Sequence, residues 1–155
     1  MSTQMQQLYQ QVILDHSRER IGNTDLLGDA TQGPHGSSHQ INPTCGDEIE
    51  VEAELGADGV IAVRWTGDGC SISMASASVL SDLAAENTVE GMLDIEAKFH
   101  ELMHSRGTLE GDEEILRDAA AFSGVSKFPA RIKCALLSWV AFKDALNQAQ
   151  TSLKE

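Results

Sequence analysis

At 155 residues, with 24 Asp and Glu against 11 Lys and Arg, the chain carries a formal net charge of −13, a balance that repels phosphate backbones and anionic headgroups and argues against nucleic acid and membrane surfaces as partners. Hydrophobic residues at 41% and charged residues at 23% describe a globular protein long enough to bury a core, read as one domain over 1–155; aromatics at 5% leave aliphatic side chains and alanine to fill it. The first apolar cluster, Met5 to Leu14, is interrupted by glutamines and followed by Asp15, so it is neither a signal-peptide core nor a membrane span, and a cytoplasmic location is expected.

Met5, Leu8, Tyr9, Val12 and Ile13 recur at helical spacing, which predicts an amphipathic helix over 4–16. The stretch 22–38 is rich in glycine and small polar residues and reads as a long surface loop. Ile49, Val51, Ala53 and Leu55 then alternate with Glu48, Glu50, Glu52 and Glu54, predicting a strand with one apolar face and one wet acidic face. A turn at Ala57-Asp58-Gly59 leads into a second strand over 60–66, giving an antiparallel hairpin, with 39–42 available as a third strand.

After the Gly67-Asp68-Gly69 turn the pattern is helical throughout. The first such helix, over 71–86, has Ile72, Ala75, Val79, Leu80 and Leu83 in one stripe. Thr88 caps the next, which runs to about 104 with Met92, Ile95, Phe99, Leu102 and Met103 inward; a shorter helix spans 113–121. The last opens at Pro129, where a missing N–H costs nothing, and is striped by Ile132, Leu136, Trp139, Val140 and Leu146. Strands first and helices after predict an α+β layout.

Three cysteines without a secretory signal do not make a disulfide framework, so each is a small buried hydrophobe, a free thiol or a metal ligand. All three fall where secondary structure begins or breaks. Cys45 sits in the Asn42-Pro43-Thr44-Cys45-Gly46-Asp47 loop. Cys70 opens a helix, where free N–H groups and the helix dipole favour a thiolate, and Cys134 stands near the start of the last helix with Arg131 and Lys133 close by. Asp47, two residues after Cys45, can point to the same side of an extended segment and complete a set of four donors. Three thiolates and a carboxylate suit Zn²⁺ or a cluster iron better than Mg²⁺ or Ca²⁺. Spacing alone is weaker support, because 24 residues intervene between Cys45 and Cys70 and 63 between Cys70 and Cys134.

The flanking residues carry more. Asn42 to Asp47, GDGCSISMASAS over 67–78 and FPARIKCA over 128–135, together with Leu8-Tyr9 and Asp15-His16, resemble the SufU proteins within the wider IscU and NifU-N group. The resemblance covers nearly the whole chain. It implies an N-terminal helix, a small three-stranded antiparallel sheet and helices packed on one face of it. It further implies that Cys45, Asp47, Cys70 and Cys134 hold zinc, that Cys45 accepts sulfur and that Arg131 matters for activity. A pyridoxal-phosphate cysteine desulfurase is the implied partner, with other iron-sulfur assembly proteins downstream. Phe128-Pro129-Ala130-Arg131-Ile132 and Lys133 stand where the IscU branch has Leu-Pro-Pro-Val-Lys and a histidine. The long gap before Cys134 likewise matches the SufU branch, so zinc-dependent sulfur transfer is expected ahead of a [2Fe-2S] scaffold built on the same ligands.

A competing motif is His100-Glu101-Leu102-Met103-His104, an HExxH pattern with Glu110 beyond a glycine turn, which on a helix would read as a zinc protease. The alternative is a helix buried by Phe99, Leu102 and Met103 with the histidines in water. His35 and His39 are candidate outer groups around Cys45, and Asp68 either orients the site or simply forms its turn.

Overall fold

The computed structural model describes residues 2–56, 59 and 61–154. Ser2 opens α1 (Thr3–Glu19) by accepting the Met5 N–H on its hydroxyl, and Arg20 closes it in the left-handed conformation at φ 49°. The 21–34 segment crosses the sheet with a single 3₁₀ turn at Gly28–Ala30 and leads into β1 (His35–Asn42), β2 (Asp47–Leu55) and β3 (Ile61–Asp68). The sheet is antiparallel in the order β1-β2-β3, with Ser38, Val51 and Trp65 in one register row and Ser37, Glu52 and Arg64 in the next. There follow α2 (Ser71–Ala84), α3 (Val89–Met103), α4 (Glu113–Leu116), a 3₁₀ segment (Arg117–Lys127) and α5 (Pro129–Lys154).

The alternation in β2 decides the layers. Ile49, Val51, Ala53 and Leu55 face the helices, where α5 crosses β1 and β2 while α2 packs on β3 and on α1. Gly36 permits a close approach, since a Cβ there would strike the backbone of Ala145 and the side chain of Gln148 on α5. Trp139 lies at the centre, stacked on Phe99 at 4.6 Å and donating its indole N–H to Ser76 Oγ at 2.9 Å. Burying an aromatic of this size is worth several kcal/mol, about 3–5 by the cost of truncation to alanine.

Several details depart from the sequence reading. The third strand starts at His35, not His39, because the backbone from 35 pairs with β2 as far as Glu54. The acidic face of β2 is not uniformly wet: Glu52 is 1% exposed, covered by the 21–34 segment. It accepts the N–H groups of Leu27 and Gly28 and pairs with Arg64 at 2.8 Å, while Glu54 takes the other arm of that guanidinium at 2.7 Å. Leu8 and Val140 are exposed rather than inward. The helix expected over 113–121 is α4 followed by tighter 3₁₀ turns. Ala57, Asp58 and Val60 of the expected hairpin turn and strand lie outside the described residues.

Candidate metal centre

The loop between β1 and β2 is built by Asn42, which accepts the Thr44 N–H on Oδ1 at 3.3 Å and the Cys45 and Gly46 N–H groups on its carbonyl. Gly46 takes φ 72°, a conformation costly for a side chain with a Cβ, and this turns the chain so that Asp47 starts β2 pointing inward while Cys45 stays at the rim. Gly69 is required opposite: a Cβ there would occupy the space of the Asp47 carboxylate.

Asp47 is fully buried and is the hub. Oδ1 accepts the Cys70 N–H at 2.8 Å; Oδ2 accepts the Ser73 hydroxyl at 2.6 Å and lies 3.7 Å from Cys70 Sγ. Burial alone would raise its carboxyl, but these hydrogen bonds from Ser73, Cys70 and Cys134 outweigh burial and hold it below the usual carboxylate range. Cys70 is the N-cap of α2, its sulfur accepting the Ser73 N–H at 3.5 Å, as its place after a glycine turn predicts.

Cys134 behaves differently from that expectation. It lies in the second turn of α5, 3.7 Å from the Ala130 carbonyl rather than over free N–H groups. Burial, then contact with Asp47, Cys45 and Cys70, pushes its thiol well up in the metal-free chain. Arg131 and Lys133 are exposed and do not offset this; the Arg131 guanidinium lies over the Phe128 ring at 4.8 Å, beside an apolar groove of about 510 Å³ between α1, Ile72 and the start of α5.

Donor atoms of Cys45, Asp47 and Cys134 lie within 4.8 Å of one another, with Cys45 Sγ and Cys134 Sγ at 3.4 Å. Cys70 joins through Asp47. Two sulfurs on a tetrahedral zinc stand about 3.8 Å apart, and a sulfur and an oxygen about 3.5 Å apart, from bond lengths of about 2.3 and 2.0 Å. The observed 3.4 and 3.7 Å spacings therefore fit such an ion with little movement. Ser73 and Asn42, whose Nδ2 lies 3.8 Å from Cys134 Sγ, are supporting residues that the sequence reading passed over. The position of Ser73, three residues after an N-cap, was the available signal for one of them.

The remaining sequence candidates go elsewhere. His39 pairs with Glu48 at 2.6 Å, His35 with Thr31 at 2.6 Å, and Asp68 accepts the Gly69 N–H at 3.0 Å to make its turn. His100 and His104 stack ring on ring at 4.1 Å, exposed, with His104 Nδ1 turned to the His100 carbonyl at 2.9 Å. Among the described residues the metal-competent groups do not include them. His100→Ala is accordingly expected to leave zinc content unchanged by atomic absorption; loss of the ion would revive the protease reading.

Comparison with known proteins identifies the family. Residues 8–135 match the NifU-like N terminal domain. The chain is 40% identical over 144 residues to the zinc-dependent sulfurtransferase SufU of Bacillus subtilis (strain 168), covering 92% of each. It is 32% identical over 148 residues to the iron-sulfur cluster assembly scaffold protein IscU of Streptococcus pyogenes serotype M1, covering 95% of this chain and 87% of that one. The crystal structure of a SUF-system scaffold protein from Fervidobacterium islandicum AW-1 superposes with a TM-score of 0.73 at 27% identity, covering 87% of this chain and 93% of that one. The helix-first order, the three-stranded sheet and the matched length of sequence together establish that the chain belongs to the NifU-like N-terminal domain family, in the group that contains the SufU and IscU proteins.

Proposed function

We propose that this protein accepts sulfur for iron-sulfur cluster assembly, taking it from the persulfide of a pyridoxal-phosphate cysteine desulfurase onto Cys45 and passing it to downstream assembly proteins. The observation that carries this reading is the exposure of Cys45 at the rim of a donor set whose other members are buried or half-buried. One thiol is reachable by a partner while Asp47, Cys70 and Cys134 stay fixed. The similarity to the Bacillus zinc-dependent sulfurtransferase supports the same reading.

Cys45, Asp47, Cys70 and Cys134 would hold zinc, which when bound keeps coordinating thiols ionised at neutral pH. The residues of the chain do the rest. Asp47, locked by Ser73 and the Cys70 N–H, sets the positions of the sulfurs around it. In the transfer, the Cys45 thiolate attacks the terminal sulfur of the partner's persulfide. A new S–S bond forms on Cys45 as the partner's S–S bond breaks, and the electron pair leaves with the partner's cysteine thiolate. Arg131, exposed and one helical turn before Cys134, steadies the anionic persulfide together with Lys133.

A second reading, supported by the similarity to the Streptococcus scaffold protein, is a scaffold on which a [2Fe-2S] cluster forms as cargo on the same four residues. Anaerobic incubation with a cysteine desulfurase, cysteine and iron separates the two. For sulfur transfer, the colourless zinc-loaded chain accelerates desulfurase turnover and acquires one labile sulfur, and Cys45→Ala loses both properties. A brown product with stoichiometric iron and sulfide, without acceleration, would establish the scaffold instead.

A further inference from the structure

A second group of ligating side chains lies outside the thiol cluster: His16, Asp82 and Asp118 bring one donor atom each within 4.8 Å of the others. His16, in the last turn of α1, is only 6% exposed. Its Nδ1 lies 2.8 Å from Ser78 Oγ and its Nε2 2.8 Å from Asp118 Oδ2. Ser78 is itself held, accepting the Ile21 N–H at 3.0 Å. Asp82 stands one turn beyond Ser78 on α2 and so shares its face. Burial raises the Asp82 carboxyl; His16 pulls it down, and Glu86, Asp118 and Glu19 raise it further.

When Nδ1–H is donated to Ser78, the Nε2 lone pair and two carboxylates converge, and three acceptors facing one point need a cation or a proton between them. We propose that His16 Nε2, Asp82 and Asp118 form a second divalent-cation site, with Ser78 as the outer partner that orients the ring. One imidazole and two carboxylates, with no sulfur, suit iron(II) or manganese(II), whereas the thiol cluster suits softer zinc. Asp118, whose side chain is 51% exposed, gives an incoming ion its route to the buried imidazole. An ion there would also tie α1, α2 and the 3₁₀ segment together.

The test is titration of Mn²⁺ into the full chain carrying one equivalent of zinc, followed by loss of the free-ion electron paramagnetic resonance signal. One Mn²⁺ per chain is expected, with nitrogen hyperfine coupling that changes when histidine is ¹⁵N-labelled. Asp82→Asn and Asp118→Asn should each weaken binding at least about tenfold, and Ser78→Ala about tenfold, as loss of an outer partner does. Absence of binding to folded wild type, absence of nitrogen coupling, or affinity untouched by both asparagine variants overturns the proposal and leaves a hydrogen-bonded His16 and Asp118 pair. No thiol takes part, so failure of the sulfur-transfer reading would leave this result standing.

Discussion

Asp47→Ala is expected to weaken zinc binding at least about tenfold, since removing even a supporting partner of a metal ligand costs about 10- to 100-fold. The same change should destabilise the metal-free chain by about 1–3 kcal/mol, the cost of a buried donor left without an acceptor. The orphaned donor is the Cys70 N–H, which opens α2 and has Asp47 Oδ1 at 2.8 Å; the Ser73 hydroxyl keeps the Cys134 carbonyl at 3.2 Å. Asp47→Asn separates the two effects. Its amide oxygen still accepts the Cys70 N–H, so the metal-free fold is retained while the carboxylate charge proposed to bind zinc is lost. Competition with a chromophoric chelator reads the first effect and urea unfolding the second. Unchanged zinc affinity in Asp47→Ala would remove the carboxylate from the ligand set.

Glu52→Ala should destabilise the fold by about 3–5 kcal/mol, the range for breaking a buried ion pair from one side. The variant leaves Arg64, with a side chain 15% exposed, holding only Glu54. It also strips the Leu27 and Gly28 N–H groups of their acceptor, so the 21–34 segment should lift from the sheet and exchange its amides faster. Glu52→Gln, which keeps one acceptor oxygen, should cost less. Urea midpoints check both, and a Glu52→Ala loss within 1 kcal/mol would show that the network is dispensable.

The same network sets an acid limit. Burial raises the Glu52 carboxyl, but the Leu27 N–H, Arg64 and the Gly28 N–H together bring it below its ordinary value; for Glu54 the Arg64 hydrogen bond leads and the result is also a lowering. Below their unfolded values, near about 4.3, the unfolded chain binds protons that the folded chain does not. This part of the stability is therefore complete above about pH 4.3 and is lost as pH falls through the lower folded values. In Glu52→Gln the Glu52 share of that dependence should vanish.

The HExxH stretch and the cysteines show how unevenly residue patterns translate into sites. Phe99, Leu102 and Met103 have helical spacing, and burial of that face turns His100 and His104 outward whatever their motif. Cys70 was legible because a glycine turn before a helix is local chemistry. The environment of Cys134 was not, because its surroundings come from β1, β2 and α2, remote in the chain; they bury its sulfur among other acceptors.

The sequence by itself determined the α+β order, the helix cap at Thr88 and the helix start at Pro129, and the two cysteine loops, since each depends on residues within one or two turns of chain. The flanking motifs likewise pointed to Cys45, Asp47, Cys70 and Cys134. Only the tertiary structure decided that Asp47 is the buried hub, that Ser73 and Gly69 make room and hydrogen bonds for it, and that Glu52 is a covered ion-pair partner on a strand whose alternation made it look solvated. It alone brought His16 to Asp82 and Asp118. Periodicity tells which face of an element is apolar; what covers the other face depends on segments tens of residues away, and no local pattern records that.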